Sequence, residues 1–188
     1  MKRFEHILVI VMMAVVMLPL ASCHTSRKNV ASSTRRERTS RQTATPGVIS
    51  DDWKTLNIKL RPGDNQRLYR EVKGWLGVPY LYGGHTKSGS DCSGFVMEIF
   101  KTVYGKRIQR NSAKIFQLNC REIDRSALAE GDLVFFDTRR ANTGSINHVG
   151  LYLRDNKFVH ASSHGVVVAD LNHNYWVAHW VAAGRVCR

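Results

Sequence analysis

The sequence predicts an α+β domain, with helices in the first half of the chain and an antiparallel sheet in the second. Three observations predict it. Apolar residues recur at helical spacing as far as about residue 118. From residue 133 onward they come instead in short runs divided by turn residues. Helices first and strands afterwards is the order of an α+β domain rather than of alternating βα units. The region before about residue 48 carries neither pattern and lies outside the domain.

Over residues 65–76, Leu68, Val72, Trp75 and Leu76 fall on one helical face, and Gly77 and Pro79 end the run. Gly83-Gly84 and Ser88-Gly89 form a loop. A second helix follows to about Tyr104, capped by Ser90 or Asp91, with Phe95, Val96, Ile99, Phe100 and Val103 as its buried face and Gly105 as its end. Asn111 caps a short third helix over residues 112–118. Strands are expected at residues 133–136, 149–153, 158–161, 166–169 and 181–186.

The start of the chain has a different logic. Lys2 and Arg3 precede an apolar stretch over residues 7–21, which is short for a membrane span of about 20 residues. Charge, short apolar core and small residues describe a secretory signal over residues 1–22. Leu20-Ala21-Ser22-Cys23 resembles the lipobox of bacterial lipoproteins, which implies cleavage before Cys23 and lipidation there. His24 is not the Asp that resembles an inner-membrane retention signal, so the expected location is the outer membrane, facing the periplasm. Residues 23–47, rich in Ser, Thr, Arg and Lys, read as a basic tether, and residues 48–188 as the globular domain. The net charge is +13. In an exported chain this basic character faces wall carboxylates or anionic lipid rather than nucleic acid.

Cys92 opens the second helix. There the helix dipole and free amides favour a thiolate, so a lowered thiol pKa is expected. Its own N–H can face a developing oxyanion. By position alone, Cys92 is either a nucleophile or a buried structural cysteine. A nucleophilic thiol needs a base, and two of the eight histidines suggest one. A three-residue turn at Arg154-Asp155-Asn156 pairs Leu153 with Lys157 and sets Gly150 opposite His160. His148 then lies two residues along the same face, a diagonal neighbour of His160 with Cα atoms about 7–8 Å apart.

Five segments carry a family resemblance: Gly77-Val78-Pro79-Tyr80-Leu81-Tyr82-Gly83-Gly84; Asp91-Cys92-Ser93-Gly94-Phe95-Val96; Gly131-Asp132-Leu133-Val134-Phe135-Phe136; His148-Val149-Gly150-Leu151-Tyr152; and Phe158-Val159-His160-Ala161-Ser162. In this order, over about residues 67–186, the chain resembles the NlpC/p60 family of papain-like cysteine peptidases, and most of all its single-domain murein endopeptidase lipoproteins. The resemblance implies helices packed on a C-terminal antiparallel sheet. It implies Cys92 as nucleophile, His148 as general base, His160 as the residue that orients it, and Tyr80 as an oxyanion donor. Asp91, Ser93 and Arg110 match positions near the peptide groove, although Gln109 stands where the family commonly has Pro. The implied reaction is hydrolysis of amide bonds in peptidoglycan stem peptides or their crosslinks through a thioester. The expected protein is a monomer, with no cofactor. A wall-binding lipoprotein without turnover, and an acyltransferase using the same thiol, are the competing classes.

The remaining candidates read more quietly. Cys120 and Cys187 either form a disulfide, which export permits, or stay as separate thiols. None of the four cysteines forms a C-x-x-C pair, and zinc held by Cys92, His148 and His160 lacks a fourth ligand. His85 is placed to touch substrate from its loop. His164, His173 and His179 read as surface or packing residues, and Trp176 and Trp180 as core.

Overall fold

A computed structural model describes residues 56–139 and 143–187. The expected signal, the lipidated Cys23 and the tether fall outside the described residues, as does the start of the globular domain before residue 56. The first helix, α1, spans Gln66–Lys73, capped by Asn65, whose side chain accepts from Leu68 N–H. A two-stranded hairpin follows, β1 at His85–Thr86 and β2 at Gly89–Ser90. Helix α2 spans Cys92–Ile99 and continues as a π-helical turn over Phe100–Tyr104, closed by Gly105 at φ 67°. The predicted helix to Tyr104 is therefore helical throughout but not α throughout. Apolar spacing does not separate the two, because both bury Phe100 and Val103. Helix α3 spans Ser112–Asn119 and is capped by Asn111 as predicted.

Six strands form one sheet: β3 (Cys120–Ile123), β4 (Leu133–Phe136), β5 (His148–Arg154), β6 (Lys157–Ser162), β7 (Gly165–Asp170) and β8 (Trp180–Val186), in the order β3-β8-β4-β5-β6-β7, with every pair antiparallel. A five-residue helix, α4 at Asn174–Ala178, precedes β8. Five strands are those predicted. The sixth, the edge strand β3, opens at Cys120 and is not among the expected strands; its Cys-Arg-Glu-Ile sequence has no apolar run because it is only partly buried. Cys120 and Cys187 are both free thiols.

Leu133-Val134-Phe135-Phe136 is buried along its whole length because the sheet has two covered faces. On one, Leu133 and Phe135 join the main core with Phe95, Val96 and Ile99 of α2. On the other, Val134 and Phe136 join Tyr152, Phe158 and Leu171, with Trp176 and Trp180 packed against them. A continuous apolar strand in a two-faced sheet follows from this. Helix α2 packs against β5 and β6, so the start of that helix and the start of β5 are brought together.

The β5–β6 turn differs from the one predicted. Asp155 and Asn156 both have positive φ, 49° and 58°, and Arg154 pairs with Lys157. This is a two-residue turn of the kind whose twist suits a hairpin. Leu153 is the extra residue of a bulge between Tyr152 and Arg154, and does not pair with Lys157. Beyond the bulge the register returns to that expected, with Leu151 opposite Val159. One step further along, Gly150 lies opposite His160.

Candidate active site

Asp91 builds the start of α2. One carboxylate oxygen accepts from Gly94 N–H at 2.8 Å and Ser93 Oγ at 3.1 Å, and the other from Gly83 N–H at 2.8 Å. Arg110 closes the cluster with two parallel bonds to Asp91, at 2.7 and 2.8 Å. Burial acts to raise the Asp91 pKa, but the hydrogen bond from Arg110 and the N–H groups of Gly94 and Gly83 outweigh it and hold the carboxyl below its ordinary range. The glycine loop, the helix N-terminus and Arg110 are thus locked around one anion.

Gly94 is part of that lock. A Cβ there would strike the Gly84 carbonyl oxygen and lie 3.0 Å from Arg110 Nη2. Backbone cannot yield as a flexible side chain can, so Gly94→Ala is expected to cost about 1–2 kcal/mol of stability. Chemical denaturation of the variant measures it; an unchanged midpoint would mean the loop relaxes freely.

Cys92 sits behind this lock with a buried thiol, 8% exposed. Burial pushes its pKa up, while the N–H groups of Val149, Ser93 and Cys92 itself pull the other way without prevailing. The expected lowering by the helix start is therefore reversed. Amides favouring the thiolate are present, but desolvation of the sulfur is larger. The Val149 contact also locates the base, since Val149 follows His148 in β5.

His148 Nε2 lies 2.9 Å from His160 Nδ1, the same-face neighbour predicted from the hairpin. His160 is 3% exposed. Burial depresses both imidazoles, His148 to about 4 despite the opposing pull of Asp91, and His160 further with the help of His148. At neutral pH both rings are uncharged. With Nε2 of His148 engaged by His160, Nδ1 is the nitrogen left to face a thiol. Were Nδ1 of His148 to accept a thiol proton, the proton between the rings would sit on His148 Nε2, which would donate to His160 Nδ1.

Sequence reasoning missed how the pair is held. Trp176, read as core, stacks on His148 with centroids 5.9 Å apart and meets His160 edge-on at 4.8 Å. Phe158 stacks on His160 at 5.2 Å and meets Trp176 edge-on at 5.0 Å, so the three rings pack as a triangle. Trp176 reaches this place from α4, a single turn too short to show a helical period. Tyr80 stands where two cavities meet. One, about 510 Å³, is lined by Cys92, Asp91, Ser93 and Arg110; the other, about 730 Å³, by His148, His160 and residues of α4. Burial, with the nearby Cys92 and Asp91, raises the Tyr80 pKa, so its hydroxyl keeps its proton as a donor. His85 is outside both linings and faces Glu98 at 3.4 Å. Among the described residues no cluster of His, Cys, Asp and Glu is suited to a metal ion.

The NlpC/P60 family model matches residues 77–185. The chain belongs to the NlpC/P60 family. It is 34% identical over 174 residues to the Escherichia coli murein DD-endopeptidase MepS/murein LD-carboxypeptidase, covering 91% of this chain and 87% of that one. It is 38% identical over 117 residues to the probable endopeptidase NlpC of the same organism, covering 62% and 74%. The crystal structure of an NlpC/P60 family protein from Bacillus cereus matches with a TM-score of 0.60 and 31% identity over 66% of this chain; the match spans only 40% of that longer chain. The helices and six-stranded sheet described above are this family's α+β arrangement.

Proposed function

We propose that the protein is a cysteine peptidase of the bacterial cell wall that hydrolyses amide bonds in peptidoglycan peptides, with Cys92 as nucleophile, His148 as base and His160 as its orienter. Relatives across most of the chain are named murein endopeptidases, which supports the substrate class. The observation that carries the mechanism is the 2.9 Å His148–His160 contact on the strand whose next N–H reaches the Cys92 sulfur.

The resting pair is a neutral thiol and a neutral imidazole. As sulfur attacks the carbonyl carbon, the thiol proton passes to His148 Nδ1, and the charge it brings is shared through Nε2–H to His160. The oxyanion accepts from the Cys92 N–H and the Tyr80 hydroxyl. Collapse breaks the C–N bond, and the leaving amine takes the proton from His148. Water then attacks the thioester, gives its proton to His148, and the departing sulfur recovers it. Asp91, Ser93 and Arg110 line the acyl side of the cleft and fix its shape. The same reading places the mature protein on a lipid anchor at Cys23, at the periplasmic face of the outer membrane, on the strength of the lipobox-like ending and the residue after it.

Mass analysis of purified wall fragments after incubation with the full chain tests the function. The expected products together exceed the substrate by one water and carry a new amine. Fragments recovered intact would overturn peptidase action, and acyl groups recovered on an added amine would assign transfer instead.

A further inference from the structure

On the acyl side of the cleft the cation among the described lining residues, Arg110, is spent on the protein itself. All four terminal N–H bonds of Arg110 are engaged within the protein. Nη1 donates to Asp91 Oδ1 and to Ser93 Oγ, each at 2.7 Å. Nη2 donates to Asp91 Oδ2 and to the Gly84 carbonyl, each at 2.8 Å. Among the described residues, the carboxylate beside it is the only other charged side chain lining that cavity, and it repels anions.

The cavity on the histidine side is different. Among the described residues no Asp, Glu, Lys or Arg lines it, and it carries two imidazoles that the mechanism does not use, His164 and His173. Both are exposed. His173 caps α4 by accepting the Tyr175 N–H at Nδ1, at 3.3 Å. A backbone N–H only donates, so Nδ1 is unprotonated and the neutral ring carries its proton on Nε2. His173 is therefore a hydrogen-bond donor even when uncharged. His164 stands at the tip of the β6–β7 turn, where its own N–H is fixed to Ser162 Oγ at 3.1 Å.

The chemistry decides which half of a substrate lies here. His148 returns its proton to the departing amine, so the amine half lies on the His148 side. The geometry points to this cavity as the leaving-group subsite, selective for a departing residue with a free carboxylate held by His173 and His164. This inference rests on the peptidase reading, but its test does not depend on turnover.

The full chain with Cys92→Ala is titrated with two acetylated synthetic peptides. Both have D residues on either side of the central amide; one ends in a free carboxylate and the other in a carboxamide. Fluorescence anisotropy is expected to show the acid binding about five- to tenfold more tightly, the scale of a solvent-exposed charge-assisted hydrogen bond. His173→Asp in the same background keeps a helix-capping acceptor and replaces the donor with an anion, so the preference should vanish or invert. His164→Ala, away from the helix, should reduce it in part. Equal affinities for acid and amide would overturn the proposal. So would an acid preference that survives both substitutions, since that is general attraction to a basic chain. Failure to cut wall fragments alongside an intact, His173-dependent preference would count against peptidase action and not against the subsite.

Discussion

Cys92→Ala is expected to abolish hydrolysis of wall fragments, a loss on the order of 10⁵–10⁶ in kcat, while the protein stays folded. Alanine removes only the sulfur from a site already enclosed by α2 and β5, so the lost packing is small and the helix start, held by Asp91, is untouched. Residual cleavage equal to the parent would remove Cys92 from the mechanism. The same residue makes a second, sharper expectation. A thiol whose pKa is raised by burial, beside an imidazole held near 4, rests un-ionised. Its alkylation by iodoacetamide should therefore fall about tenfold per pH unit below neutrality. A thiolate–imidazolium pair would show a plateau reaching into acid instead. Hydrolysis should persist from neutrality down toward pH 4 and fail below it, where His148 gains a proton. A labelling plateau below neutral pH would show that the amides around Cys92 outweigh its desolvation. Cys120 gives the comparison, since burial pushes its thiol up to about 12.

The sequence exposed the parts of this site that depend on local pattern. The caps Asp91 and Asn111, the buried face of α2 and the five apolar strands all follow from side-chain type and spacing. The His148–His160 contact was legible because a hairpin register is arithmetic, and it survived a wrong turn: the bulge at Leu153 absorbed the one-residue error before the histidines were reached. What stayed hidden depends on long-range packing. No spacing rule announces that α4 will lay Trp176 across both imidazoles, or that β3 will be recruited by the backbone of β8. The sign of the Cys92 shift was lost for a related reason. A helix start is a local feature visible in sequence, whereas desolvation is set by what the sheet brings against the sulfur.

The saturation of Arg110 leads to a large stability effect with a pH signature of its own. Arg110→Met keeps the stem but leaves Asp91 buried without its cation. Breaking a fully buried pair costs about 3–5 kcal/mol. Arg110 is 35% exposed and Asp91 9%, and the Gly83 and Gly94 N–H bonds remain, so the expectation is reduced to about 2–3 kcal/mol at pH 7. The pH dependence identifies the cause. Asp91 has a folded pKa below the ordinary 3.8. Its contribution is thus fully present above 3.8 and is lost as pH falls through the lower folded value. The stability gap between parent and Arg110→Met should be widest near neutrality and narrow as pH falls below 3.8 through the lower folded value, where Asp91 loses its charge. The buried imidazoles act in another window. Their folded pKa values lie below the ordinary 6.5, so both proteins lose stability as pH falls from 6.5 toward 4, and this loss cancels in the difference. Denaturant titrations at pH 7, 5 and 3 separate the two. A gap no narrower at pH 3 than at pH 5 would mean that Arg110 stabilises through its Ser93 and Gly84 hydrogen bonds, and that its charge on Asp91 matters little.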